Sequence, residues 1–188
     1  MALRSFDYYS ALNQETNSFI LKDIIIERNK SKLQVNDANE EYGSYPFFTS
    51  GETILYIDKR LTTGFNIYIS TGGNAKVQAY YGDAAYSTDT WCITANDSFK
   101  FYLYGYLKHI ESQMDKLFFH GTGLRHLQKP LFLESKMNVP NDQLLTIFNK
   151  IVSPIYKQIS NIQRFTFSLK NIKQILLPLL INQQLVWK

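Results

Sequence analysis

The chain has 188 residues, enough for one domain plus an appendage but short of two full domains. It is 45% hydrophobic and 19% charged, ordinary for a soluble protein that buries a core. A net charge of +4 permits contact with nucleic acid or an anionic surface without demanding it, the single cysteine excludes an internal disulfide, and no apolar run is long enough for a membrane span.

In chain order, "MALRSFDYYSALNQ" lacks the apolar stretch of a secretory leader. With the lone cysteine, this points to a reducing, cytoplasmic home. "FILKDIIIERNKSKLQV" offers a short buried segment followed by alternating charges from Asp23 to Lys32, which reads as a solvated turn. From Tyr45 to about Thr94 the pattern is β. Ile, Val, Tyr and Thr are enriched between Gly, Asn and Asp punctuation. "FNIYISTGGNAKVQAYYGDAAYSTDTWCITA" reads as strand, Gly-Gly loop, strand, Gly-Asp turn and strand, which predicts a curled antiparallel sheet.

From Ser98 to Glu111 the apolar residues Phe99, Tyr102, Leu103, Tyr106, Leu107 and Ile110 recur at helical spacing. A Gly-rich loop, a short helical turn and a strand "SKMNVP" follow. Asn141-Asp142 then caps a long helix. Along it Phe148, Val152, Ile155, Ile159, Ile162, Thr166, Leu169, Lys173, Leu176 and Leu180 alternate steps of four and three, a heptad-like seam with two polar interruptions. The helix would span roughly 55 Å. It needs a partner helix, or else it packs on its own domain. The predicted organisation is α/β (α+β): a curled β-rich domain over 1–140 and a coiled-coil-forming helix over 141–188.

The Gly-Gly loop raises a nucleotide-binding reading and then removes it. A phosphate cradle opens a helix after its glycines. Here Lys76 is followed by the strand "VQAYY". The loop is therefore either a plain hairpin or a hairpin that turns Ser70, Thr71, Asn74 and Lys76 toward a ligand, and such side chains reach phosphates and base edges. His109, His120, His126 and Cys92 lack the close pairing of a metal site, so no metal is expected. No G-x-S-x-G nucleophile is present, and "LESK" carries only half of a carboxylate–x–Lys nuclease pattern. "FFHGTGLRHLQ" gathers Thr122, Arg125, His126 and Gln128 around two glycines. It is either an ordinary loop or a contact loop, since Arg suits guanine or phosphate.

Taken in order, "YPFFTSG", "ISTGGNAKVQAYYGDAAYSTDTWCI", "FYLYGYLK", "GTGLRHLQKPLFLESKMNVP" and the heptad helix resemble one half of a specificity subunit of type I restriction–modification systems. The resemblance covers nearly the whole chain and is most specific at Gly121-Thr122-Gly123, Leu131 to Leu133, Val139-Pro140 and Gln143-Leu144-Leu145. It implies an α/β target recognition domain that reads half of a bipartite duplex DNA site, and a spacer helix that pairs in an antiparallel coiled coil. It implies no catalysis of its own, with methyltransferase and restriction subunits as partners. The full subunit carries two recognition domains and two spacers. The chain carries one of each, so it is either a half subunit whose expected partner is a second half, identical or not, or a fragment of a longer subunit; a homodimer would read a palindromic site with a gap. No methyltransferase motif is present, so neither S-adenosylmethionine nor another cofactor is expected. The expected DNA-facing residues are Lys59, Arg60, Thr71, Asn74, Lys76, Thr122, Arg125 and His126, with Thr88 and Asp89 in the Ser-Thr-Asp turn. The expected pairing residues are Val152, Ile155, Ile159, Ile162, Leu169 and Leu176. The alternatives are a small DNA-acting enzyme fragment, nuclease or methyltransferase, and a coiled-coil assembly protein.

Overall fold

A computed structural model describes residues 16–182. The N-terminal stretch read for a leader and the last six residues lie outside it. Strand β5 (Phe65–Ser70) is the centre of the molecule, and every one of its residues is buried. It pairs antiparallel with β6 (Val77–Tyr81) on one side and β8 (Thr90–Thr94) on the other. The short strand β2 (Ile26–Glu27) completes the sheet order β2-β8-β5-β6.

Alternation along β5 divides its side chains between two cores. Phe65, Ile67 and Ile69 enter the main core with Trp91 and Ile93. Tyr68 enters a second, aromatic core with Phe48, Tyr80, Tyr86 and Cys92. There Phe48 stacks on Tyr68 with ring centroids 4.1 Å apart, and burial pushes the Cys92 thiol up to about 12. The second core lies under a smaller sheet of order β4-β3-β7. Its strands are β3 (Tyr45–Phe48), β4 (Leu55–Ile57) and β7 (Ala85–Tyr86). The sequence predicts one curled antiparallel sheet between Tyr45 and Thr94, but the strands of that stretch are divided between two sheets, and β3 and β7 run parallel. The parallel pair arises because the chain completes β4, β5 and β6 before returning beside β3.

The main core is closed by α2 (Lys100–His109) and by the start of the long helix. The single helix expected over 98–111 is two, α2 and α3 (Glu111–Leu117), because Ile110 leaves helical geometry with ψ 6°. The hairpin β9 (Phe119–His120) and β10 (His126–Leu127), the short α4 (Lys129–Leu133) and β11 (Lys136–Pro140) follow. Strand β11 pairs with β1 (Thr16–Ile20), which leads into a turn of helix, α1 (Leu21–Ile24).

Helix α5 (Asp142–Ile181) is one continuous element of 40 residues, roughly 60 Å long at 1.5 Å per residue. The Asn141 side chain caps it by accepting from the Leu144 N–H at 3.0 Å. Leu145, Phe148, Val152 and Tyr156 are buried in the main core, and Tyr156 stacks on Phe101 with planes 8° apart. Each such side chain stabilises the contact by about 1.5–3 kcal/mol. Further along, Ser160 Oγ accepts the Tyr81 N–H at 2.8 Å, which satisfies a donor on the edge strand β6, and Phe167 stacks on Tyr56. The opposite side of α5 is apolar and exposed at Ile159, Ile162, Leu169, Ile172, Leu176 and Leu180. Val152 does not belong to that exposed seam. It is fully buried against its own domain, because it lies on the face that carries Phe148 and Tyr156. Pro154 and Pro178 both lie inside the helix, the latter in its last turn. No helix among the described residues is long and apolar enough to cross a membrane.

Candidate nucleic-acid interface

Four loops meet at one end of β5, and the Gly-Gly loop between β5 and β6 is the hub. The loop is a hairpin, since Ser70 N–H donates to the Lys76 carbonyl and Ser70 Oγ donates to the Asn74 carbonyl at 2.6 Å, so Ser70 is buried inside the loop rather than turned toward a ligand. Gly73 sits at φ +79°, a conformation that glycine adopts without strain. No helix follows it, so the loop offers no row of N–H groups to a nucleotide phosphate.

The Ser-Thr-Asp turn reaches the hub through the Asp89 carbonyl, which accepts from Thr71 N–H, Thr71 Oγ1 and Ser50 Oγ. The last of these brings in the loop between β3 and β4, as does Lys76, whose Nζ donates to the Gly51 carbonyl at 2.9 Å. The fourth loop is the β9–β10 hairpin: Leu127 N–H donates to the Thr71 carbonyl, and Gly73 N–H donates to the Arg125 carbonyl at 2.9 Å. Gly121 opens this hairpin at φ +150°, where a Cβ would sit 2.6 Å from the Leu124 carbonyl oxygen. The backbone thus fixes the spacing of the exposed side chains Asn74, Thr122 and His126.

The two loops are clamped from below by α3. Asp115 accepts from the Ala75 N–H at 2.7 Å and pairs with Arg125 Nη1 at 3.0 Å. Arg125 Nη2 also donates to Asn74 Oδ1 at 2.6 Å. The Ala75 N–H, followed by the Arg125 guanidinium, holds the Asp115 carboxyl below the usual carboxylate range. Glu111 accepts the next strand N–H, that of Val77, at 2.7 Å.

Of the residues predicted from sequence, Thr71, Asn74, Lys76, Thr88, Thr122, Arg125 and His126 all fall in this cluster of loops. The Arg125 guanidinium is engaged by Asp115 and Asn74, a contact that ties the β9–β10 hairpin to the Gly-Gly loop and to α3. Lys59 and Arg60 are not brought to the cluster. Arg60 pairs with Asp83 at 3.2 Å, beside Gly82, whose N–H donates to Gly64 at the far end of β5. That end lies roughly 17 Å along the strand from the Gly-Gly loop.

Sequence reasoning missed one feature beside the cluster. A cleft of about 340 Å³ is lined by Thr71, Thr88 and His126 and also by Glu27, Arg28, Lys30, Trp91 and Lys129. The alternating charges "ERNKSK" were the available signal, read only as a solvated turn. Asp115 had no signal, since a lone acidic residue on a polar helix is ordinary. Among the described residues no group of His, Cys, Asp and Glu is placed to hold a metal ion.

The profile of the type I restriction modification DNA specificity domain matches residues 13–175, most of the chain. The chain belongs to that family. The specificity domain's fold agrees with solved structures. The S subunit of a type I restriction–modification system from M. genitalium aligns with a TM-score of 0.58 at 19% identity, over 91% of this chain and 49% of that one. The HsdS subunit from Thermoanaerobacter tengcongensis aligns at 0.55 and 13%, over 94% and 49%. A chain solved in work on complex assembly and conformational transition of the type I R-M system aligns at 0.55 and 11%, over 90% and 49%. The specificity domain therefore spans about half the length of the structures it matches. No curated protein matches it significantly.

Proposed function

We propose that this specificity domain reads one half of a bipartite duplex DNA target and brings methyltransferase and restriction subunits to it, with no catalysis of its own. The observation that carries the reading is the convergence of four loops at one end of β5, cross-tied by backbone and side-chain hydrogen bonds, in a chain of the DNA specificity family. Rigid loops with polar tips suit base edges in a major groove, because direct readout needs donors and acceptors at fixed positions. Asn74, Thr122 and His126 are the side chains for bases, and Thr71, Thr88 and Lys76 serve the backbone. Lys59 and Arg60 lie at the other end of the domain and are assigned a secondary phosphate contact at most.

Helix α5 is the pairing element. Its exposed stripe, with Ile155 half-buried beside Ile159, Ile162, Leu169 and Leu176, supports an antiparallel coiled coil with the spacer of a second half. Two identical halves would be related by a two-fold axis, so their target would be palindromic with an unread gap set by helix length.

The experiment is methylation-site sequencing of DNA from cells that carry this chain with a type I methyltransferase subunit. The expected result is a bipartite motif that disappears when the chain is deleted. Methylation that is unchanged on deletion would reject the reading.

A further inference from the structure

The cleft beside the loops is unusual in its charge. Arg28, Lys30 and Lys129 face a single carboxylate, Glu27. These residues come from two segments distant in sequence, so the fold rather than a local run assembles the site. Glu27 is already committed: its Oε2 accepts the Trp91 Nε1–H at 2.6 Å and lies 3.9 Å from Lys129 Nζ. Arg28 is oriented by its Nε, which donates to the buried Asn66 side chain at 3.0 Å. The Lys129 ammonium sits 4.5 Å over the Trp91 ring. Burial lowers its proton affinity, Glu27 raises it, and the nearby Lys30 ammonium lowers it again. The lysine is thus partly stripped of water and incompletely compensated, a state that an arriving anion relieves.

Two further observations limit what the anion is. The Trp91 face is covered by Lys129, so it is not a free platform for a nucleobase. Thr71, Thr88 and His126 of the loop cluster line the same cleft as Lys30 and Lys129. A duplex lying across the loops would therefore carry its backbone past Lys30 and Lys129. At about 340 Å³ the space exceeds the roughly 30 Å³ share of one liquid water many times over and accepts a phosphate with its hydration.

We infer that this cleft grips one backbone phosphate of the bound DNA, with Lys30 and Lys129 as the cationic ligands, Arg28 as their support and Glu27 as a brake on affinity. The inference rests on the DNA-reading proposal for its source of phosphate. It adds a sequence-independent anchor separate from the base-facing tips.

The test uses the full chain and a random-sequence duplex, with affinity measured against salt. The K30A/K129Q double variant should flatten the slope of log affinity against log salt by about one unit, the loss of one phosphate contact. E27Q should tighten binding several-fold, since its amide oxygen still accepts from Trp91 while the repelling charge is gone. Lys30 and Glu27 occupy exposed positions, so K30A and E27Q remain readable if K129Q fails to fold. An unchanged slope together with an unchanged E27Q affinity overturns the inference. In a W187F background Trp91 is the only tryptophan, and filling the cleft should shift its emission as Lys129 moves. A shift given as strongly by inorganic phosphate as by duplex, at equal phosphate concentration, would make the cleft a free-anion site and overturn the DNA assignment. A chain with the expected slopes that selects no sequence keeps the cleft and removes the reading. One that selects sequence with unchanged slopes does the reverse, and one that binds no duplex removes both.

Discussion

Arg125 and Asp115 join the two loops that carry most of the candidate DNA-facing side chains, with Nη1 3.0 Å from the carboxylate. The pair connects the β9–β10 hairpin to helix α3, and Asn74 brings the Gly-Gly loop into the same contact. The geometry assigns Arg125 to positioning. R125A should lower stability by about 1 kcal/mol, the upper end for a partly exposed pair. It should weaken binding to every duplex while leaving the preferred sequence unchanged. Urea unfolding and a comparison of selected motifs check both parts. Relaxation at a single base position would instead make Arg125 a reader.

The same pair sets a pH dependence. The Asp115 carboxyl is held below its ordinary range, first by the Ala75 N–H and then by Arg125. A depressed folded value means that the stabilisation is present above the unfolded value, about 3.9, and is lost as pH falls through the lower folded value. The urea midpoint of the wild type should exceed that of D115N by a constant amount from about pH 5 to 7 and begin to converge on it as pH falls below about 4 toward the lower folded value. A gap that persists in acid would show that the carboxylate charge does not matter.

On helix α5, substitution should separate pairing from folding. Ile159 and Ile162 are 41% and 62% exposed, whereas Val152 is fully buried. The double variant I159D/I162D should abolish self-association in light scattering and leave thermal unfolding of the β-rich domain intact. V152D should destabilise the fold by about 3 kcal/mol or more, because a carboxylate enters the core without a partner. Wild type that stays monomeric at high concentration would count against the pairing seam.

Lys76 anchors a loop and keeps an ammonium at the cluster surface. Burial lowers its proton affinity, Glu52 raises it, and Nζ spends one donor on Gly51. K76A should weaken binding across all sequences and flatten the salt slope by roughly one unit. An unchanged slope would confine Lys76 to holding the Gly51 loop.

The parts of the fold legible in the sequence are those governed by local chemistry. Asn141 caps the long helix, the strand "VQAYY" follows the Gly-Gly loop, and β11 ends at Pro140, all as the sequence predicts. The parallel contact of β3 with β7 was not legible, because no residue signal specifies which distant strands lie side by side. The helix seam illustrates the same limit. Val152 fits a heptad stripe, but whether a stripe meets its own domain or another chain depends on packing that Phe148 and Tyr156 decide. Arg125 and Asp115 are far apart in role on paper and 3.0 Å apart in space. The cleft of Arg28, Lys30 and Lys129 likewise exists only after folding.

The most direct measurement of the central claim is selection from a random duplex pool by the purified chain, alone and with a methyltransferase subunit, followed by sequencing. The account predicts an enriched motif that N74A or H126A changes at defined base positions and that K76A leaves intact at lower yield. A pool that emerges without any enriched motif under both conditions would contradict it.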